Sequence, residues 1–256
     1  MIFLLPPSES KTPASKGPKF APTKLVFPEL NEKRLDLMKA LQIFCTNQPE
    51  LAAKALDLGP KQSDLLANNA ELVKAHCAPA IQIYTGVLYD HLGYGTLNTS
   101  ARARADSSIL ISSALFGFVT PADPIPAYRL SGGSVIPAIG SLAAYWKTDL
   151  LGALAQNGHE LILDLRSGSY EKLAPAKQLD QPIVSVKVLT SVNGVLKPVT
   201  HFNKATKGDL VRAACLSSGK FPTKVERIAD FFTKLGFTAD LDMLTPGLPT
   251  LQIVTH

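Results

Sequence analysis

The chain of 256 residues contains few charged residues and few cysteines. Charged residues make up 18% and hydrophobic residues 46%, a balance too apolar for an intrinsically disordered protein. The three cysteines (Cys45, Cys77 and Cys215) lie far apart and form no CxxC pair. This spacing argues against a disulfide framework and against a cysteine-rich zinc site. A chain of this length can bury a core that needs no such covalent support.

Long apolar runs are also absent, since none approaches the roughly 20 residues of a membrane-spanning helix. The first apolar run stops at Pro6 and has no basic segment before it. It is too short for a signal peptide and fits a first strand, Ile2 to Leu5. We therefore expect a cytoplasmic protein that has no membrane partner.

Several catalytic motifs are missing from the sequence. It contains no GxxxxGK[ST], GxGxxG, HExxH or GxSxG. These absences argue against P-loop nucleotide hydrolysis, a Rossmann dinucleotide site, a zinc protease and an α/β-hydrolase. The five histidines show no HxH or HxxxH spacing. We expect neither a metal nor a cofactor, and no obligate protein partner is evident.

The net charge of +5 is concentrated in two segments. Residues 197–227 hold seven basic and two acidic residues, and residues 10–24 hold four lysines and no acid. The rest of the chain carries a net charge of −4. An acidic body with two basic segments is typical of a polyanion-binding surface, although a solvated helix face and a basic loop would give the same pattern.

The order of apolar segments predicts a single mixed α/β domain over residues 1–256. Residues 182–190 alternate in polarity, and Asn193-Gly194 and residues 195–201 follow, which predicts a β-hairpin and hence a mixed sheet. Helices are predicted over 31–44, 78–92, 141–155, 203–217 and 222–235, and one last strand is predicted in the tail. In the first of these helices, Leu35, Met38, Leu41 and Ile43 have roughly helical spacing.

Two short helices are predicted between residues 49 and 76, with Gly59 and Lys61 in the tight turn that joins them. This is the form of a helix-hairpin-helix, whose turn N–H groups can meet a phosphate. Ordinary packing of two helices explains the same pattern.

The stretch DLRSGSY follows a predicted strand, 160–165. Ligands bind at the carboxyl ends of strands in open α/β sheets, and Arg166 has the fork geometry that grips a phosphate. Asp164 either orients Arg166 or serves as an acid or base. The alternative is a structural Asp164–Arg166 pair that ties the loop to a helix.

The stretch HFNKATKGDLVR opens a helix directly after the hairpin. Lys204, Lys207 and Arg212 have spacings that place cations on one side of a helix, near an N-terminus that attracts anions. A solvated basic face is the other interpretation.

Six stretches of this chain form a further pattern: PPSESK, YTGVLYDHL, ILISSALFGFVTPADPIPAYRL, the Tyr145-Trp146 pair, DLRSGSY and HFNKATKGDLVR. Together they resemble the YaaA family, which is associated with peroxide stress. The resemblance implies a compact α/β fold with a helix-hairpin-helix and a positive cleft that binds DNA. It also implies a cytosolic role in limiting unincorporated iron and the DNA damage that iron drives. Carried over by position, the cleft residues are Lys11, Arg129, Lys204, Lys207 and Arg212, and the chain departs from better-known members at Arg166.

The first hypothesis is a non-catalytic protein that binds double-stranded DNA through its phosphates, without sequence preference. If five cations each meet a phosphate, log K against log salt should have a slope of roughly −4 to −5. The alternative is an enzyme acting on a nucleic-acid base or nucleotide, with Asp164, Ser167 and Tyr170 as catalytic candidates beside Tyr128 and Arg129. A third hypothesis, iron binding, is suggested only by the family's iron phenotype.

Overall fold

The computed structural model describes residues 1–156, 158–192, 195–199 and 203–255. Over these ranges the chain forms ten α-helices and twelve strands. The helices are α1 (Asn31–Asn47), α2 (Pro49–Ala55), α3 (Ser63–Ala70), α4 (Ala80–Ile83), α5 (Val87–Leu92), α6 (Thr99–Ser108), α7 (Leu142–Gln156), α8 (Ser169–Leu173), α9 (Asn203–Leu216) and α10 (Ile228–Lys234). The strands are β1 (Ile2–Leu5), β2 (Cys77–Pro79), β3 (Ile109–Ser113), β4 (Gly117–Val119), β5 (Pro124–Pro126), β6 (Val135–Ile136), β7 (Gly140–Ser141), β8 (Ile162–Asp164), β9 (Ile183–Val192), β10 (Val195–Pro198), β11 (Thr238–Asp242) and β12 (Thr250–Thr255).

The main sheet of the described chain has eight strands. Seven of them follow the order β11-β12-β9-β8-β1-β3-β4, and the eighth, β10, pairs with β9. The pairs that join β12, β9, β8, β1 and β3 are parallel, and β4, β10 and β11 pair antiparallel. The predicted mixed α/β fold with a mixed sheet is therefore confirmed. Strands β9 and β10 pair as a hairpin, while its predicted turn, Asn193-Gly194, lies outside the described residues.

The centre of the sheet is buried on both faces. All residues of β1, β3, β4 and β8 are buried, as expected where helices cover both sides of parallel strands. Helix α9 packs on β9, α7 on β4 and α10 on β11. The indole N–H of Trp146 donates to the carbonyl of Ala114 at 2.9 Å, which ties α7 to the β3–β4 turn.

A buried arginine fixes α1 against the edge of the sheet. Arg34 has no exposed surface and donates five hydrogen bonds of 2.8–3.0 Å. Four of them end on the backbone carbonyls of Val26, Phe27, Phe116 and Phe118. A charge can stay buried when its donors are satisfied in this way.

The prediction of one continuous helix over residues 78–92 is wrong, because this segment is divided into a strand end and two short helices. Strand β2 is followed by α4, and Gly86, with φ of +102°, separates α4 from α5. Tyr84 pairs with Lys11 in an isolated antiparallel bridge, and the N–H of Thr85 donates to the carbonyl of Ser10 at 3.3 Å. Pairing with the loop after β1 thus replaces helical hydrogen bonds at this point.

Candidate functional site

The parallel strands β1, β3 and β8 end at one edge of the sheet. Leu5 pairs with Ile111 of β3, and Leu4 pairs with Asp164 of β8. The loop after β1 and the loop after β8 therefore emerge side by side. In open α/β sheets this carboxyl edge is where ligands bind.

Three cavities lie next to one another along the loop that follows β1. The inner cavity, of about 500 Å³, is lined by residues 6–10, 85–89, 165, 167–170, 203, 204 and 207. The middle cavity, of about 240 Å³, is lined by residues 9–11, 13, 62, 65, 68 and 127–129. The outer cavity, of about 300 Å³, is lined by residues 13, 14, 19, 68, 71, 74–76 and 127.

These cavities adjoin one another, because neighbours share lining residues. The inner and middle cavities share Glu9 and Ser10. The middle and outer cavities share Pro13, Asn68 and Ala127. We call this surface the trough.

Glu9 links the inner and middle cavities and holds two side chains from distant parts of the chain. The hydroxyl of Tyr170 donates to Glu9 Oε1 at 3.0 Å, and Arg129 Nη1 donates to Glu9 Oε2 at 2.8 Å. Burial and the Glu9 carboxylate together raise the pKa of Tyr170 well above its usual range. Tyr170 therefore stays protonated and acts as a donor to the carboxylate at neutral pH.

Beside Glu9, the middle cavity contains Lys11, which lies over two tyrosine rings. Lys11 Nζ is 4.2 Å from the ring centroid of Tyr128 and 5.4 Å from that of Tyr84, and it donates to the carbonyl of Ser8 at 2.7 Å. The tyrosine hydroxyls lie 3.0 Å apart, and that of Tyr128 lies 2.8 Å from Ser113 Oγ. These contacts fix the position of the lysine amine.

Burial lowers the pKa of Lys11 to about 7. The nearby Glu9 carboxylate opposes this shift and the Arg129 guanidinium adds to it. The tyrosines that face Lys11 are neutral at pH 7, because burial raises the pKa of Tyr84 to about 12 and places that of Tyr128 well above its usual value. A substantial fraction of the Lys11 amines is thus unprotonated at neutral pH.

At the start of α9, two of the predicted cations line the inner cavity, and they differ in exposure to solvent. Lys204 is exposed there. Lys207 is buried, and its ammonium donates to the carbonyl of Leu165 at 2.8 Å, which holds the loop after β8. Burial lowers the pKa of Lys207, while Asp164 and Glu171 oppose that effect.

Asp164 and Arg166 form a buried ion pair away from the trough. Arg166 Nη2 lies 2.8 Å from Asp164 Oδ2, and the guanidinium also donates to the carbonyls of Tyr170 and Ala174. Asp164 lines a fourth cavity, of about 440 Å³, while Ser167 and Tyr170 line the inner cavity. The three catalytic candidates therefore do not face one common cavity, and the Arg166 donors face the protein.

Arg212 does not line the trough. Its Nη1 donates to the carbonyls of Leu92 and Gly93, each at 3.0 Å, which are at the end of α5. Cations commonly satisfy the free carbonyls at a helix C-terminus. In this conformation Arg212 joins α9 to α5.

The predicted hairpin between α2 and α3 lies beside the middle cavity. Gln62 lines that cavity, and Lys61 next to it is exposed. The backbone N–H of Gly59 donates to Gln62 Oε1 at 3.0 Å. Arg129 joins this segment to the trough, since its Nη2 donates to the carbonyl of Leu56 at 3.3 Å.

Reasoning from the sequence missed several residues of the trough. Glu9 stands two positions before the predicted Lys11, and Lys19 and Lys74 lie 55 positions apart but meet in the outer cavity. The hydroxyl of Tyr89 donates to the carbonyl of Pro6 at 2.8 Å. The one local signal that could have indicated Glu9 was its position in PPSESK, where serines and a lysine flank the carboxylate.

Within the described ranges, no three histidine, cysteine, aspartate or glutamate side chains gather closely enough to hold a metal ion. None of the helices found there combines the length and apolar character needed to cross a bilayer.

The structure defines this chain as an α/β protein with a cationic trough at the carboxyl edge of its sheet. Its sequence is similar to those of known proteins. The family model described as peroxide stress protein YaaA matches residues 1–242. A UPF0246 protein of Streptomyces coelicolor is 35% identical over 249 residues, covering 96% of this chain and 95% of that protein. A UPF0246 protein of Corynebacterium efficiens is 37% identical over 247 residues, covering 94% and 96%. The chain belongs to the peroxide stress protein YaaA family, as the sequence motifs predicted.

Proposed function

We propose that this chain acts in the cytoplasm during peroxide stress by binding double-stranded DNA along the trough, without sequence preference, and thereby limits iron-driven damage. The supporting observation is the charge of the trough. Its lining includes six cationic and two acidic residues, a formal excess of four positive charges. The cations are Lys11, Lys19, Lys74, Arg129, Lys204 and Lys207, and the acids are Glu9 and Glu71.

Both acids of the trough are paired with cations. Glu9 lies 2.8 Å from Arg129, and Glu71 lies 2.7 Å from Lys74. Pairing removes two local repulsions that would otherwise oppose a phosphate backbone. The trough thus carries four of the five positive charges in the chain's formal net charge, and a basic surface of this kind is the electrostatic pattern of nucleic-acid binding.

Phosphate contacts of this kind position a protein on DNA but carry no sequence information. The described trough lining includes five lysines, four serines and three tyrosines, and its amide side chains, Gln62, Asn68 and Asn203, lie on separate elements and not along one helix. Binding should therefore depend on backbone charge alone.

Counterion release connects this binding with iron. A protein that neutralises phosphates displaces the cations condensed on them. Fe²⁺ held at those phosphates would be among the displaced ions. DNA covered by the protein would then carry less iron where peroxide reacts with it.

Charge reversal at one position on the trough tests the proposal against a matched reversal elsewhere. Lys204→Glu changes an exposed lysine of the inner cavity, and Lys39→Glu changes an exposed lysine of α1 that lines none of the three cavities. Both variants have the same net charge. We expect Lys204→Glu to bind mixed-sequence duplex about tenfold more weakly by fluorescence anisotropy, and Lys39→Glu to bind as the unmodified protein does.

The same two variants test protection of DNA. In a plasmid-nicking assay with Fe²⁺ and hydrogen peroxide, the unmodified protein and Lys39→Glu should slow strand breakage, and Lys204→Glu should not. Equal effects of the two variants on binding and nicking would contradict a role for the trough.

A second function, chemistry on a base or nucleotide, is supported by the size of the inner cavity and by Glu9 at its junction with the middle cavity. Glu9→Gln should abolish turnover of a modified base while leaving DNA binding intact. An unchanged rate would remove this candidate.

A further inference from the structure

We propose that Lys11 is an amine nucleophile that forms an imine with the aldehyde of a base-free deoxyribose in a DNA strand lying in the trough. The inference rests on the proposed DNA binding and adds a covalent activity to the same surface. Peroxide chemistry on DNA yields sugars that have lost their base, so such aldehydes arise under the conditions in which this family acts.

The geometry fixes the amine at a cavity that adjoins phosphate-binding cations. Lys11 lines the middle cavity of about 240 Å³, which has room for a single sugar ring. Lys74 and Lys19 lie on the outer side of it and Lys204 on the inner side. A strand whose phosphates meet these lysines would bring one sugar to Lys11.

Two features hold Lys11 Nζ in one place, as an attacking group requires. One is the hydrogen bond to the carbonyl of Ser8, and the other is the contact with the ring of Tyr128. The ring is itself fixed, because the Tyr128 hydroxyl is hydrogen bonded to both Ser113 and Tyr84.

Only the unprotonated amine attacks a carbonyl. With a pKa of about 7, Lys11 is unprotonated in about half of the molecules at pH 7. An ordinary lysine, with a pKa near 10.4, is unprotonated in fewer than about one in 1,000. The charged and titratable groups that face Lys11 are Glu9, Arg129, Tyr84 and Tyr128.

The reaction conserves atoms and electrons without any added reagent. The nitrogen lone pair of Lys11 forms a bond to the aldehyde carbon, and a proton moves from nitrogen to the former carbonyl oxygen. A second proton transfer releases that oxygen as water and leaves a carbon–nitrogen double bond. Glu9, which lines the same cavity, is the carboxylate placed to carry these protons.

Reductive trapping tests the inference on the full chain. The protein is mixed with a duplex that contains one base-free deoxyribose, or with the matched intact duplex, in the presence of sodium cyanoborohydride. We expect a covalent adduct with the first duplex only, and peptide mass mapping should place it on Lys11. The initial rate of trapping should rise with pH through about 7.

Lys11→Met should reduce the adduct at least tenfold, and Lys39→Met is the matched control that should not. Because Lys11 packs against buried tyrosines, mapping of the adduct on the unmodified protein decides the question if Lys11→Met does not fold. An adduct on other lysines, or none at all, would overturn the inference.

Free 2-deoxyribose 5-phosphate separates this inference from the proposed function. If the sugar phosphate is trapped on Lys11 but intact duplex does not bind, DNA binding fails and the imine chemistry stands. If intact duplex binds with the expected salt dependence but Lys11 is not modified by either probe, the imine chemistry fails alone.

Discussion

At the scale of single residues, one buried and one partly buried cation, Arg34 and Lys11, have opposite roles. Arg34 is permanently charged and fully satisfied, with a pKa lowered by burial only to about 10. Lys11 donates to fewer acceptors than Arg34 does, and its pKa is lowered to about 7. The first stabilises the fold, and the second keeps a reactive group in the trough.

The stability of an Arg34 variant should show how much the fold depends on this side chain. Arg34→Met removes a donor from four carbonyls, of which that of Phe27 keeps its hydrogen bond from the N–H of Leu30. Each carbonyl left unsatisfied costs about 1–3 kcal/mol. We expect the free energy of unfolding in urea to fall by about 3 kcal/mol or more. Lys39→Met, on the exposed side of the same helix, should change it by less than about 0.5 kcal/mol. A loss below about 1 kcal/mol for Arg34→Met would contradict this assignment.

The pH dependence of stability should report on Lys11. Its pKa is about 7 in the folded chain and near 10.4 in the unfolded chain, so the unfolded chain binds more protons between these values. The free energy of unfolding contributed by Lys11 is therefore lowest below pH 7 and rises towards pH 10. Lys11→Met should gain stability relative to the unmodified protein most at pH 6 and progressively less at pH 8 and 9.5. A difference that is constant in urea titrations at the three pH values would exclude the shifted pKa.

The apolar spacing of α1 illustrates what the sequence could not reveal at this scale. Leu35, Met38, Leu41 and Ile43 have roughly helical spacing in the sequence. Met38 and Leu41 are buried, but Leu35 and Ile43 are 44% and 50% exposed, and Arg34 occupies the buried face. The carbonyls that stabilise a buried guanidinium come from residues up to 84 positions away, so no local pattern could predict it.

At the scale of elements, α5 and α9 meet at a glycine. A Cβ on Gly208 would lie 2.3 Å from the carbonyl oxygen of Leu88, so the two helices approach more closely than any side chain allows. The same contact sets where Lys204 and Lys207 stand relative to the inner cavity.

Gly208→Ala should therefore push α9 away from α5. We expect the free energy of unfolding to fall by about 1–3 kcal/mol, as for other overpacked sites. Gly152→Ala in α7 is the matched control, because nothing lies within 4 Å of its added Cβ, and it should raise stability by up to about 1 kcal/mol. Thermal unfolding of both variants distinguishes the two cases, and an equal response would contradict the close approach.

Most elements were predictable because their signals are local. The buried first strand, the pairing of the hairpin strands and a helix from Asn203 all follow from alternation or helical spacing. The prediction of one strand in the tail was wrong, because the C-terminal residues contribute to two strands, β11 and β12, which pair with each other antiparallel. The prediction of one helix over residues 78–92 was wrong for a similar reason, because the break in that helix depends on pairing with residues near Lys11.

At the scale of the whole molecule, the salt dependence of DNA binding should reflect which cations remain available. Arg212 and Arg166 are held by carbonyls and Asp164, and Lys207 is buried. Apart from Lys11, whose pKa is lowered to about 7, the cations along the trough with exposed or partly exposed side chains are Lys19, Lys74, Arg129 and Lys204.

Four phosphate contacts give a slope of about −3.6 for log K against log salt on duplex DNA. This is smaller in magnitude than the −4 to −5 expected from the sequence. Removing one contact with Lys204→Ala should reduce the slope by about one, and Lys39→Ala should leave it unchanged. A slope near zero in anisotropy titrations between 50 and 200 mM salt would refute binding through phosphates.

The position of β1 at the centre of the sheet has a consequence for synthesis of the protein. Its partners are β3 and β8, whose residues Ile109–Ser113 and Ile162–Asp164 come more than 100 positions later. At roughly 5–20 residues per second on a ribosome, the apolar segment Ile2–Leu5 waits about 10–30 s for β8. The nascent chain must keep this segment from aggregating during that interval, so translation speed and chaperone supply should determine how much folded protein a cell obtains.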